Sequence, residues 1–339
     1  MPIRHVYIAD ATWQGDDAQV QAMDQAIHNK APHTQALLAS WQAVPQPPAL
    51  PDDWATPLER AWASALGWQP DSTHDLLDQP LPLAALALSD ELPPNTPAAW
   101  LHPVHITAGM NDVRLSHPNE LDLSAQHSQD LLAALKPLCT EDGVELRYVS
   151  SDRWLMVGER LRGIVSPSLQ KAANNSVDGW LPFSTTHTEA AKWMRRLQNE
   201  AQMLFYTHPV HDQRKALGLP PVSGVWLQGA GALAQPLTTQ NQVEQVHDLS
   251  LHVHKPFDWQ AAWAALDASC IKALLSLGNS QAICVSFASH NGIKTYASPA
   301  LAATQPQPKT GSWLLGMARK LTMRPAQQAN TIPSALTPH

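Results

Sequence analysis

Between Thr185 and Leu233 the chain carries an unbroken series of structural signals, and few folds accommodate all of them. Thr186 and Glu189 form a capping-box pattern, in which hydroxyl and carboxylate each satisfy an orphan backbone N–H. Ala190, Met194, Leu197, Ala201 and Leu204 then recur at spacings of three and four, so one helix face is apolar. Pro209 ends that helix, since proline lacks the N–H the next turn needs. Pro220-Pro221-Val222 turns the chain into Trp226-Leu227-Gln228-Gly229-Ala230-Gly231, a buried strand with a glycine-bearing end. Helix, stop, turn and buried strand in that order indicate an α/β protein, where strand ends of this kind often line a ligand site.

The flanking segments extend the pattern. Val6 to Ala9 reads as a short apolar strand with Asp10 at its end, and Asp17 to Trp41 as a helix. Val44 to Pro57 is a proline-bearing loop, Leu58 to Leu66 a second helix, and Gln69 to Pro103 a set of long proline-rich connections. Val104 to Leu115 reads as strand and turn. Ser124 caps a helix with Leu131, Leu132, Leu135 and Leu138 on one face. Val144, Leu146 and Tyr148 alternate with charged residues, and Arg153-Trp154-Leu155-Met156-Val157 follows after a turn, which predicts a hairpin. Leu249, Leu251 and Val253 alternate with polar residues. Asp258 caps a helix running to Leu274, and Gln281 to Ala288 is a buried strand, which makes a parallel βαβ unit. From about Pro299 the chain is rich in proline and glutamine, with one basic amphipathic stretch from Trp313 to Arg324.

Composition excludes several functions. The chain has 339 residues, enough for two compact units or one elaborated one. Its net charge is −7 and no Lys/Arg-rich segment precedes the tail, which argues against nucleic acid, whose phosphates need clustered cations. No run of about 18 apolar residues predicts a membrane span. Cys139, Cys270 and Cys284 are far apart and odd in number, so buried thiols in a reducing compartment are expected. With no signal-peptide pattern at the start, a cytoplasmic location is the expectation. The 13 tryptophans either fill core positions or line a ligand or partner surface.

Individual residues carry alternatives. His252 and His254 share one face of a strand and either bind a transition metal or face solvent. His208 and His211 straddle a helix end, where an imidazolium caps carbonyls. Arg153 either clamps a phosphate or carboxylate, or forms a salt bridge to Asp142 or Asp152. Gly229 and Gly231 let a backbone approach a ligand or simply permit a tight turn.

From about Pro103 to Leu233, the order of elements resembles that of archaeal-type cofactor-independent phosphoglycerate mutases. The matching pieces are Ser124 to Leu138, Val144 to Val149, Asp152 to Val157, Asn199-Glu200, His208-Pro209-Val210-His211 with Arg214 and Gly218, and Trp226 to Gly231. Closer still is the resemblance to RpfE-type regulatory proteins, through Asn199-Glu200-Ala201-Gln202-Met203-Leu204, His208-Pro209-Val210 and Trp226-Leu227-Gln228-Gly229-Ala230-Gly231. The resemblance implies a phosphatase-like doubly wound α/β core with an inserted α+β subdomain. The core takes residues 1–106 and 222–300, the insert 107–221, and a partly disordered tail 301–339. It also implies two divalent metals held by Asp and His, because two ions can hold both attacking and leaving oxygens of a transferring phosphoryl group.

The chain departs from that pattern where the metals would sit. The first strand leads into Asp10-Ala11-Thr12-Trp13-Gln14 with one carboxylate, and a late strand ends Ser289-His290 where Asp-His is expected. Asp248 and His252 echo an Asp-x-x-x-His pair, and Asp10, His290, His252 and His254 are the residual metal candidates. The first reading is therefore a non-catalytic or weakly catalytic regulatory protein, with no cofactor expected. It would bind a small phosphorylated or acidic ligand, or a protein partner, in a cleft near Arg153, Asn199, His208, Arg214, Trp226, Gly229 and Gly231. The alternatives are an active phosphoglycerate mutase using Mn²⁺ or Zn²⁺, and an interaction scaffold with a tryptophan surface.

Overall fold

A computed structural model describes residues 2–11, 30–46, 53–71, 79–108, 113–116, 118–173, 182, 184, 187–237, 241–243, 247–249, 256–289 and 292–304. Met1–Ala302 form one unit and Ala303–His339 another; the fold described is that of the first. The proposed tail lies, beyond residue 304, outside the described residues.

The apolar run Val6-Tyr7-Ile8-Ala9 is buried, and it forms the middle of one sheet. This strand, β1 (Arg4–Ala9), runs parallel to β10 (Ile283–Ser289) on one side and to the short β8 (Gln242–Val243) and β9 (His247–Asp248) on the other. Strands β11 (Gly292–Ala297) and β2 (Gln42–Val44) complete it antiparallel, in the order β2-β11-β10-β1-β8. Parallel strands are covered on both faces and so read as continuous apolar runs. The second sheet is antiparallel: β3 (Ala98–Ala108), β4 (Val113–Ser116), β5 (Glu145–Ser150), β6 (Arg153–Val157) and β7 (Gly224–Gly231). Strand β3 pairs with β6 and β4 on successive stretches and with β7. Strands β3 and β7, which the sequence division assigns to the core segments, thus hydrogen-bond within the sheet that holds the β5–β6 hairpin. The α/β class expected from sequence is the class observed.

The helices are α1 (Pro32–Ser40), α2 (Pro57–Ala65), α3 (Leu83–Ala87), α4 (Ala125–Glu141), α5 (Leu169–Ala172), α6 (Thr188–Thr207), α7 (Pro209–Ala216), α8 (Pro256–Leu266), α9 (Lys272–Leu277) and α10 (Pro299–Ala302). A π-helical turn, Asp267–Ile271, joins α8 to α9. Helices α4 and α6 lay Leu131, Leu135, Met194, Leu197, Ala201 and Phe205 over the second sheet, around the fully buried Trp154. Burying each of the larger of these apolar side chains stabilises by about 1.5–3 kcal/mol. Trp259, Trp263, Leu37 and Leu274 cover the first sheet. Tryptophan here is mainly core: Trp41, Trp100, Trp154, Trp193, Trp226, Trp259 and Trp263 are all buried.

Several local expectations shift. Strand β3 starts at Ala98, inside the stretch expected to be connections, and passes through Pro103. That proline falls in the gap between the part of β3 that pairs with β6 and the part that pairs with β4, and a missing N–H is tolerated where a ladder is interrupted. Helix α6 begins at Thr188, not at the expected Thr186 cap; the Ser184 hydroxyl instead accepts from the His187 N–H at 2.8 Å, and Thr186 lies outside the described residues. Pro209 does end α6, but it also occupies the first turn of α7, where proline needs no hydrogen bond. Asp258 lies within the first turn of α8 and not at its cap, because the helix starts at Pro256. The expected helix from Asp17 is described only from Lys30, and the strand through Val253 only to Leu249.

Candidate functional site

The parallel sheet fixes one candidate edge. Register pairs Ile8 with Phe287 and Ala9 with Asp248, so Asp10, Asp248 and Ser289 come to the C-terminal ends of three neighbouring strands. Open α/β sheets take ligands at such carboxyl ends. The backbone turns sharply there. Asp10 has φ 50°, a left-handed conformation that aspartate tolerates better than most residues. Its carbonyl accepts from the Trp259 indole N–H at 3.1 Å, and the next amide, Ala11 N–H, donates to Ala288 O at 2.9 Å. The Ser289 hydroxyl donates to Gly292 O at 3.1 Å and links the end of β10 to the start of β11. His252, His254 and His290 lie outside the described residues. Among the described residues, no three His, Cys, Asp or Glu side chains converge as a metal site would require.

The residues expected in a cleft take different places. Arg214, on α7, is fully buried: Nε donates to Pro220 O at 2.8 Å, Nη1 to Asp122 O at 3.4 Å and Nη2 to Leu121 O. Burial holds its pKa below the usual guanidinium value, against the pull of nearby Asp122. Trp226 is buried in β7, and its indole N–H donates to Pro167 O at 3.2 Å. Gly229 (φ 63°) and Gly231 share β7. A Cβ on Gly229 would stand 2.5 Å from Leu83 Cβ, and one on Gly231 3.0 Å from Pro82 Cβ, so the close approach these glycines permit is made by the chain's own α3 segment. Asn199 is exposed on α6.

His208 differs from expectation. It is the C-terminal cap residue of α6 and the N-cap of α7, and its Nδ1 accepts from the Val210 N–H at 3.3 Å. The ring serves an orphan donor at a helix start, because Pro209 begins a new helix at once and turns the cap towards its N–H groups. Arg153 settles neither expected ion pair. Asp142 bonds Arg160, Arg196 and the Trp193 indole, while Asp152 accepts from Ser150. The guanidinium of Arg153, itself exposed at the start of β6, lies instead over the ring of the buried Trp100, 4.9 Å from its centroid.

Sequence reasoning missed a buried polar junction around Glu59. Its Oε2 accepts from the Thr56 N–H at 2.7 Å. Its Oε1 accepts from the Ser168 hydroxyl at 2.9 Å and from Gln228 Nε2 at 2.5 Å. The Thr56 hydroxyl completes a capping box at 3.2 Å. Burial raises the carboxyl pKa above its ordinary value and outweighs the hydrogen bonds, which act downward. Beside it Arg60 grips Asp53 bidentately at 2.8 and 3.0 Å, and the buried Lys171 donates to Asp53 O. The spacing Thr56-x-x-Glu59 before an apolar run was the available signal; the partners from residues 168 and 228 had none.

A groove of about 160 Å³ lies beyond the end of β7, lined by Leu92, Pro93, Asn95, Thr96, Leu233 and Leu237 among others. Burial pushes the Cys139 thiol up to about 12 and Cys284 up to about 11, so both stay protonated and inert at neutral pH. No helix among the described residues is long and apolar enough to cross a membrane.

No family model and no curated protein matches the chain. Among solved structures, it is similar to the cofactor-independent phosphoglycerate mutase from Thermoplasma acidophilum DSM 1728, with TM-score 0.37 and 13% identity over 88% of this chain and 89% of that one. It is also similar to the PH0037 protein from Pyrococcus horikoshii, with TM-score 0.48 and 11% identity over 88% and 87%. At these identities and scores the likeness is one of chain course alone.

Proposed function

We propose that this chain is a regulatory ligand-binding protein, non-catalytic or weakly catalytic, that recognises a small phosphorylated or acidic ligand through Arg153. The observation that carries this reading is the setting of that side chain. It is exposed, held against the face of Trp100, and paired with no carboxylate among the described residues. A guanidinium oriented by an aromatic ring keeps its donor fork available for a bidentate oxyanion, with less ordering cost on binding. Arg214 contrasts with it, since it is fully buried and three of its donors already meet backbone carbonyls.

Titration calorimetry with inorganic phosphate and with 3-phosphoglycerate tests the reading. Binding should weaken at least about tenfold in Arg153→Ala, the loss of one charge-assisted bidentate contact of roughly 1.4 kcal/mol or more. Equal affinity in wild type and variant would remove Arg153 from the site.

A second reading, a metal-dependent phosphotransferase, is favoured by one observation: the Ala9–Asp248 register, which puts Asp10 and Asp248 at one sheet edge just before His252. Elemental analysis after loading with Mn²⁺ or Zn²⁺, with an assay for 3- to 2-phosphoglycerate conversion, separates the two. Stoichiometric metal with turnover replaces the first reading. A scaffold that docks through tryptophan draws less support, because seven of these rings are interior.

A further inference from the structure

We propose that the exposed edge of β5 pairs with β5 of a second copy of this chain, antiparallel about Leu146, to make a two-fold dimer. The two flanks of the second sheet differ. Strand β7 is buried at all eight residues, whereas β5 alternates exposed and buried and pairs with β6 on one side. The elements packed most closely on β5 are β6 and α4, which leaves its outer flank open among the described residues. The strand contains no proline, and its one register irregularity lies beyond Tyr148, so the outward N–H and C=O groups around Leu146 offer a template for another strand.

Charge identifies the occupant. Lysines and other like charges on an edge normally repel a second copy. Here the exposed face carries Glu145 and Arg147, one residue to either side of Leu146 and about half exposed, 52% and 50%. A two-fold axis through Leu146 sets Glu145 of each copy opposite Arg147 of the other, on the same face, and brings Val144 opposite Tyr148. Opposite charges and aromatic–β-branched pairs are favourable directly across an antiparallel ladder. Within one chain the pair is already bidentate, at 2.6 and 2.7 Å, so both side chains are ordered before association. Pairing joins two five-stranded sheets into one of ten strands. The contact is small, so the dimer is weak and dependent on concentration.

Sedimentation velocity of the full chain over a concentration series tests this. The unmodified protein should shift towards doubled mass as concentration rises. Glu145→Arg or Arg147→Glu, each placing like charges across the axis, should leave it monomeric. The two changes together should restore the dimer, because complementarity is restored. Hydrogen exchange of the unmodified protein gives a reading independent of any variant: amides of residues 144–148 should gain protection with concentration. A chain that stays monomeric, a dimer indifferent to the single changes, or one not restored by the double change overturns the proposal.

Discussion

Two carboxylates serve helix starts in this molecule, one from within the helix and one from across the fold. Glu59 lies in the first turn of α2 and caps that helix's own Thr56 N–H, while Ser168 and Gln228 bind its other oxygen. Asp267 lies in the π-helical turn, 233 residues from Thr34 in the first turn of α1, which it caps. Oδ1 accepts from the Thr34 N–H at 2.6 Å and hydroxyl at 2.7 Å, and Oδ2 from the His33 N–H at 3.2 Å and ring at 2.8 Å. Burial pushes both carboxyls upward. At Asp267 the four hydrogen bonds prevail and the pKa falls below the ordinary value; at Glu59 burial prevails and it rises. The balance between desolvation and hydrogen-bond donors, not residue type, decides which charge state the fold favours.

Removing the remote cap should have the larger effect. Asp267→Ala removes a carboxylate that is 2% exposed and orphans two N–H groups and a hydroxyl, and a loss of about 3 kcal/mol in urea unfolding is expected. Glu59→Ala should cost less, about 1–2 kcal/mol, because the Thr56 hydroxyl still caps α2 and Ser168 retains Gln170 Oε1 at 3.1 Å. An equal loss at both positions would erase the distinction between local and remote capping.

The pH profile sharpens the contrast through opposite signs. The native pKa of Asp267 lies below its ordinary 3.8, so its stabilisation is complete above that value and is lost as pH falls through the native one. The native pKa of Glu59 lies above its ordinary 4.5. Its contribution is therefore complete below 4.5 and is lost as pH rises through the native value. Urea midpoints measured against pH should lose the acid-side decline in Asp267→Asn and the decline above pH 4.5 in Glu59→Gln. Identical profiles in wild type and Glu59→Gln would show that the carboxyl titrates at its ordinary value. The smallest stability effect is expected at Arg153→Ala, within about 0.5 kcal/mol, since an exposed cation–π contact contributes roughly that much. A larger loss would make Arg153 part of the scaffold and not of a ligand site.

Periodicity carried most of the fold. The apolar face of α4, the β5–β6 hairpin and the buried β7 are all local patterns, and all are present. The candidate site was less legible. Arg153 and Arg214 are equivalent in sequence, each a guanidinium beside matching motif residues, yet one rests on Trp100 and the other is enclosed by three carbonyls. No spacing in the chain separates them, because the partners come from β3, from the turn at Leu121–Asp122 and from Pro220.

The sequence by itself determined which segments become most of the helices and strands and which of their faces are apolar, since each depends on residues within one or two turns. Only the tertiary structure decided that Asp267 caps α1, that Gln228 and Ser168 meet Glu59, and that Asp10 and Asp248 share a sheet edge. Those outcomes rest on contacts across a hundred residues or more, whose energies exist only once packing has brought the groups out of water and into range.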